Sequence, residues 1–138
     1  MRIPPPLTVV DYIAPAVAAA IFIGVMSLVP EPTRWRFNTV LVAGATGIYI
    51  SGGGFGVWEL AFPVVALPLA YLGLQSYHFI GLVWLMHSAW DVVHHRWGNP
   101  LWPFAPTSSF GCMIFDALIA VWFIAGAPSV LNRRSRSA

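Results

Sequence analysis

The sequence predicts an all-α integral membrane protein, a helical bundle of about five transmembrane helices. Hydrophobic residues make up 58% of the 138-residue chain and charged residues only 9%, whereas soluble domains are about 25% charged. The mean hydropathy is +0.73. The apolar residues are grouped into long runs that Pro, Gly and Arg residues separate, which is typical of successive membrane spans.

Five apolar runs define the predicted spans. We expect one domain over residues 1–138, because no stretch outside the runs is long enough for a separate soluble domain. A signal peptide is the alternative for the first run, but that run stays apolar beyond the small residues at 16–20 where cleavage would fall. The second run is short, so a four-span alternative joins the second and third runs in one re-entrant unit. The predicted spans are 12–29, 37–50, 57–73, 76–95 and 110–127.

The arginines predict the orientation of the bundle. The chain contains no lysine, and its formal charge of +2 rests on arginine. Five spans place Arg34 and Arg36 on the same side as the C-terminal tail, and Arg2 and Arg96 on the other side. The positive-inside rule then makes the C-terminus cytoplasmic and the N-terminus external. Because the arginines form no basic stripe, we expect no nucleic-acid partner. The tail arginines are Arg133, Arg134 and Arg136.

The fourth predicted span becomes polar in its second half, which reads LMHSAWDVVHHRWGN. His87, Asp91, His94 and His95 lie at positions i, i+4, i+7 and i+8, so they share about a third of the helix circumference. In lipid, each ionisable side chain is costly and indicates a functional site. This face is therefore the predicted site.

Two acids on other spans are predicted to join this face. Glu59 lies at the start of the third span, and Asp116 lies inside the fifth, one turn after the single cysteine, Cys112. A glycine cluster at residues 52–56 predicts a tight turn that brings the start of the third helix beside the end of the fourth. With the predicted orientation, these groups all lie toward the outer leaflet, and only His78 lies at the inner end.

Imidazole and carboxylate groups together suit a divalent metal ion, with zinc favoured and iron or manganese as alternatives. His87 and His95 are about 12 Å apart along the helix axis, so one ion does not bind both. We expect Asp91 to share an ion with His94 or His95, and His87 to hold a second one. A hydrogen-bonded polar core without metal is the alternative. The predicted ligands are His87, Asp91, His94 and His95, and the predicted general bases or further ligands are Glu59 and Asp116.

Several motifs resemble a family of small bacterial multi-pass membrane proteins that is catalogued only as a domain of unknown function. The resemblance covers roughly residues 40–130. It implies a location in the bacterial inner membrane and one common site, and it implies no activity. The motifs are GGGFGVWE at 52–59, WLMHSAWDVVHH at 84–95, GNP at 98–100 and PTSSFGC at 106–112.

The ligand types also resemble those of ceramidase-type membrane hydrolases, which hold one zinc ion among their helices. The histidine boxes of membrane desaturases are less similar, because the four histidines of this chain are too few for a di-iron set. We therefore predict a metal-dependent hydrolase that acts on a lipid or other apolar substrate near the outer leaflet. Membrane lipids, further copies of the chain or a larger membrane complex are the expected partners. The alternative is a non-catalytic protein that binds heme or a pigment, or an accessory subunit.

Overall fold

The computed structural model describes residues 5–131, and the regular secondary structure of these residues is helical. Arg2 and the three tail arginines, on which the predicted orientation partly rests, lie outside the described residues. The α-helices of the described range are α1 (Val9–Leu28), α2 (Thr33–Ala45), α3 (Ala61–Leu72), α4 (Tyr77–Trp97) and α5 (Ser108–Ile124), and a 3-10 helix (Gly56–Leu60) directly precedes α3.

The all-helical class and the order of five α-helices are confirmed, but the second predicted span is not one helix. After α2 ends at Ala45, the chain continues in successive turns to Gly52. The Thr46 hydroxyl donates to the carbonyl of Ala43 at 2.7 Å, and such a bond competes with regular helix continuation. By length and composition, α1 is the one helix of the described range that passes as a membrane span, and Gly56–Leu72 and Ser108–Ile124 are shorter apolar helices.

Helix α1 packs along α5. The ring of Phe22 makes edge contacts with Phe115 and Phe123, at centroid distances of 5.7 and 6.5 Å. At the end of α1, the Ser27 hydroxyl accepts a hydrogen bond from the Val130 backbone N–H at 3.2 Å. The first apolar run is therefore part of the bundle.

One end of the bundle, here called the ion-pair end, is joined by polar contacts. Arg34 lies 2.6 Å from the Glu31 carboxylate and donates a 3.2 Å hydrogen bond to the Tyr77 hydroxyl. Burial raises the pKa of Glu31, but hydrogen bonds from Tyr77 and Arg34 outweigh that effect and leave this pKa below its ordinary value. The Trp35 indole N–H donates to the carbonyl of Gly73. The start of α2 is thereby bound to the end of α3 and the start of α4.

The opposite end, here called the glycine end, is formed by the predicted glycine turn. The backbone N–H of Asn99 donates to the carbonyl of Gly53 at 2.8 Å, and its side-chain amide donates to the carbonyl of Gly52 at 2.9 Å. Tyr12 at the start of α1 makes an edge contact with Phe110 at the start of α5. These contacts confirm that the turn lies beside the end of α4. Because each helix runs from one end to the other, consecutive helices alternate in direction.

Helices α4 and α5 pack closely at Gly81. A Cβ atom at this position would lie 2.9 Å from the backbone carbonyl of Ala120 and 2.7 Å from the Ile124 side chain. Since backbone atoms cannot move away as a flexible side chain can, only glycine permits this helix separation.

We predict that Gly81→Ala destabilises the protein by about 1–3 kcal/mol, because overpacking forces α4 and α5 apart. Thermal unfolding of the purified protein measures the effect. Gly111→Ala in α5 is the control, since no described atom lies within 4 Å of a Cβ atom there. Equal melting temperatures for the two variants would contradict the close packing at Gly81.

Candidate metal and acid–base site

The interior of the bundle is polar in the half near the glycine end. Helix α4 contributes His87, Asp91 and His94, whose exposed fractions are 4%, 0% and 1%. The 3-10 helix contributes Glu59 and α5 contributes Asp116, with exposed fractions of 2% and 3%. Three separate elements therefore bring ionisable side chains into one water-shielded region, as the residue pattern predicted.

His87, Asp91 and Asp116 form the first of two clusters, here called the triad. His87 Nδ1 lies 2.7 Å from Asp116 Oδ2 and 3.5 Å from Asp91 Oδ2. One potential ligand atom from each residue lies within 4.8 Å of the others. This spacing fits three ligands around a single metal ion, whose bonds to nitrogen and oxygen are about 2.0–2.2 Å long.

The end of α2 orients the imidazole of the triad. His87 Nε2 lies 2.9 Å from the backbone carbonyl of Ala45. Because a carbonyl only accepts, Nε2 carries a proton, and Nδ1 is the atom directed toward the two carboxylates. A ring N–H donated to a backbone carbonyl is the usual outer-shell contact of a metal-binding histidine.

Asp91 is bonded through only one of its two carboxylate oxygens. Oδ1 accepts a hydrogen bond from the Tyr49 hydroxyl at 2.6 Å. Oδ2 is buried and forms no regular hydrogen bond with the described residues, and its contact with His87 Nδ1 is long, at 3.5 Å. A buried carboxylate oxygen without a partner is costly. A cation between His87 Nδ1, Asp91 and Asp116 would satisfy this atom, so the donor set fits a metal ion.

Glu59 and His94 form the second cluster, here called the acid–base pair. His94 Nε2 lies 3.0 and 3.2 Å from the two carboxylate oxygens of Glu59. The other ring nitrogen, Nδ1, donates to the backbone carbonyl of Trp90 at 2.9 Å. Glu59 Oε1 also accepts from the backbone N–H of Phe55 at 3.0 Å. Both oxygens of Glu59 are thus bonded, unlike those of Asp91.

Tyr49 connects the two clusters, although it is not among the site residues predicted from the sequence. Its ring stacks on the imidazole of His94, with centroids 3.6 Å apart and planes 15° apart. Its hydroxyl contacts Asp91 and, at 2.9 Å, the hydroxyl of Ser109. Since the single phenol proton is given to the carboxylate, Ser109 supplies the proton of the second bond. Tyr49 lies in the turns that follow the end of α2 at Ala45, so helical periodicity in the sequence does not place it at the site.

The structure groups the predicted ligands differently from the expected sharing of an ion by Asp91 with His94 or His95. His94 faces Glu59, and His95 packs against the ring of Phe110 at 5.3 Å, outside both clusters. Asp91 has a histidine one turn away in each direction on α4, His87 before it and His95 after it. Because α5 packs against the side of α4 that carries His87, Asp116 contacts this histidine and completes the cluster with Asp91. His78 is exposed at the ion-pair end, as expected.

A cavity of about 420 Å³ opens beside the two clusters at the glycine end. Its walls are the turn at residues 51–53 and the loop at residues 99–103, and Tyr49 forms part of its floor. The position of Tyr49 places this cavity directly next to the polar interior.

The fold and the site define an all-helical protein with a buried histidine–carboxylate centre. The chain belongs to the Family of unknown function (DUF6010), whose model matches residues 10–129. This match confirms the resemblance to a family of unknown function and extends it toward the N-terminus. Comparisons with curated proteins and with solved structures give no match. The function must therefore be argued from the site.

We predict that Gly53→Ala destabilises the protein by about 1–3 kcal/mol through overpacking of the acid–base pair. A Cβ atom at this position would lie 2.5 Å from His94 Nε2 and closer still to Glu59 Oε1. The free energy of unfolding of the purified protein measures the effect. Gly52→Ala is the matched control, because an added Cβ atom there meets no described atom within 4 Å. A Gly53→Ala variant as stable as Gly52→Ala would disprove the close contact.

Proposed function

We propose that this protein is a multi-pass protein of the bacterial inner membrane that binds a divalent metal ion between His87, Asp91 and Asp116. We further propose that it uses this ion to hydrolyse a lipid or other apolar substrate near the outer leaflet. The observation that carries the proposal is the buried Asp91 Oδ2, which lacks a hydrogen-bond partner in the described range and faces two other potential ligands.

The distribution of side chains supports the membrane location. Large apolar side chains cover the outside of the helices, for example Ile21 at 61% exposed, Val64 at 71% and Val121 at 66%. Carboxylates and imidazoles are buried instead. Water would penalise both features, whereas lipid favours an apolar exterior and confines ionisable groups to the bundle interior. Helices α1 and α4, with 20 and 21 residues, reach about 30 Å, the thickness of the hydrocarbon core.

Charge balance supports the metal site. A neutral His87 with ionised Asp91 and Asp116 leaves two negative charges in a buried region, and a divalent cation compensates both. Without a metal ion, the 2.7 Å contact between His87 Nδ1 and Asp116 Oδ2 requires a shared proton, which compensates only one of the two carboxylates. The second buried negative charge would then remain, at a cost of several kcal/mol. Zinc, iron and manganese all accept one imidazole with two carboxylates, and zinc is the first metal to test.

A bound ion of this type polarises a substrate carbonyl and lowers the pKa of water toward neutrality. The protein residues have separate roles beside it. His87, Asp91 and Asp116 bind the ion, and the Tyr49 hydroxyl positions Asp91. Glu59 with His94 is the proton acceptor that we assign, because this pair lies directly behind Gly53 on the cavity wall.

The non-catalytic alternative of heme or pigment binding has less support. Axial ligation needs an imidazole nitrogen that is directed into a large cavity. Both ring nitrogens of His87 and of His94 already contact protein atoms. The Nδ1 atom of His95 has no hydrogen-bond partner in the described range, but His95 does not line the cavity at the glycine end. A role as an accessory subunit remains compatible with the apolar exterior.

The metal proposal predicts a specific pattern among variants. Wild-type protein should carry about one metal ion per chain, and Asp91→Asn and Asp116→Asn should reduce its occupancy more than about tenfold, since even outer-shell changes cost that much. His94→Ala should keep the metal and lose about 10²–10⁴-fold of its activity, the usual contribution of an acid–base group. Metal analysis and hydrolysis of a p-nitrophenyl acyl ester measure the two effects.

His78→Ala is the control for these variants, because this histidine is exposed at the ion-pair end, and it should change neither quantity. His95→Ala should also keep the metal. A well-folded wild-type protein with near-zero metal, after growth with zinc, iron and manganese, would exclude this function. It would leave a hydrogen-bonded polar core as the role of the triad.

The five-span topology predicts opposite locations for the two ends of the chain. A reporter fused after Ala138 should be cytoplasmic and one fused before Met1 external, because consecutive helices alternate in direction and Arg34 and Arg36 lie at the ion-pair end. Alkaline phosphatase and green fluorescent protein fusions measure the two locations. Both ends on one side would exclude five spans.

A further inference from the structure

The cavity at the glycine end has walls that match one chemical class of ligand. It is lined by residues 48–53, except Ile50, and by residues 99–103. We infer that it binds the uncharged polar headgroup of a lipid, so that the substrate is a neutral acyl ester or amide and not a phospholipid. The identity of the substrate rests on the proposed hydrolase function. Lipid binding in the cavity does not depend on that function.

The cavity combines uncharged polar side chains, Ser51 and Asn99, with an apolar rim. Asn99 holds the backbone of the glycine turn in place through its two hydrogen bonds. The main-chain N–H and C=O groups of Gly52 and Gly53 are used in these bonds and in bonds to the Tyr49 carbonyl, so the exposed Ser51 is the polar side chain that this turn offers to the cavity. On the rim, Ile48 and Trp102 are 40% and 51% exposed. A molecule with a small polar group on an apolar chain satisfies both surfaces at once, and tryptophan is common at this depth of a membrane.

The charges around the cavity argue against an anionic headgroup. None of the described residues that line it carries a charged side chain. The ionisable groups closest behind its walls include two acids, Glu59 behind Gly53 and Asp91 beyond the Tyr49 hydroxyl. Phosphate recognition normally uses arginine or lysine, and Arg96 is exposed elsewhere and does not line the cavity. A phosphate in this cavity would find no cationic side chain among the described residues that line it, whereas an ester, amide or hydroxyl group needs none.

The cavity also lies next to both clusters of the site. Tyr49 in its floor is only 4% exposed, stacks on His94 and contacts Asp91 through its hydroxyl. The Gly53 backbone is the layer between the cavity and the acid–base pair, because a Cβ atom there would touch both Glu59 and His94. A headgroup in this cavity is thus separated from each cluster by a single residue.

Lipid binding to the detergent-purified full-length protein tests the inference. Native mass spectrometry compares a monoacylglycerol with a lysophosphatidic acid of the same acyl chain. We expect the monoacylglycerol to bind at least about tenfold more tightly. Gly52→Leu should weaken its binding by about the same factor, since an added side chain at this position meets no described atom within 4 Å and extends into the cavity.

Gly24→Leu is the matched control, because its Cβ atom is equally unobstructed within the described structure and Gly24 does not line the cavity. This variant should bind monoacylglycerol as the wild type does. Ser51→Leu is a second cavity-filling variant on the same exposed turn and should behave like Gly52→Leu. Unchanged monoacylglycerol binding by both cavity variants would overturn the inference, and so would equal or tighter binding of the lysophosphatidic acid by the wild type.

Metal content measured on the same samples separates the two proposals. A metal-free wild type that still prefers monoacylglycerol, and loses this preference in Gly52→Leu, would support the cavity and exclude the hydrolase. A metal-containing wild type without the preference would overturn the cavity inference and leave the metal site standing.

Discussion

The position of the His87 imidazole determines how three helices meet. Its Nδ1 contacts Asp116 on α5 at 2.7 Å, its Nε2 contacts the carbonyl of Ala45 at the end of α2, and Asp91 lies one turn away on α4. A buried ionisable group without such partners costs several kcal/mol. The relative rotation of α2, α4 and α5 is therefore constrained by a single ring, and the triad exists because all three helices satisfy it.

The same arrangement recurs seven residues later on α4. His94 donates a hydrogen bond from Nδ1 to the Trp90 carbonyl, and its Nε2 contacts the Glu59 carboxylate. A separation of seven residues returns to nearly the same helix face, so Tyr49 contacts both clusters from one side. The two clusters differ in one respect that matters chemically. Glu59 uses both carboxylate oxygens, whereas Asp91 Oδ2 lacks a hydrogen-bond partner in the described structure. This difference favours a cation at the first cluster and proton transfer at the second.

Glycine residues at the glycine end allow the backbone to pack directly against the acid–base pair. Gly53 permits the backbone to pass directly over the acid–base pair, and Gly98 approaches the same turn so closely that a Cβ atom would lie 2.7 Å from the Gly53 carbonyl. Larger residues would push the turn away from α4 and separate Glu59 from His94. The thin wall that results places the cavity beside the buried polar groups.

The sequence by itself determined the helical class, the order of the five α-helices and most of the polar residues of the site. Apolar run length and the 3.6-residue period are local properties, and they do not depend on how helices pack. The tertiary structure alone decided which partner Asp91 takes. Asp91 has histidines one turn away on both sides, and Asp116 reaches only His87 because of the rotation of α5. The tertiary structure also places Tyr49 at the site, because its stacking on His94 and its hydrogen bond to Asp91 form only when the helices are packed.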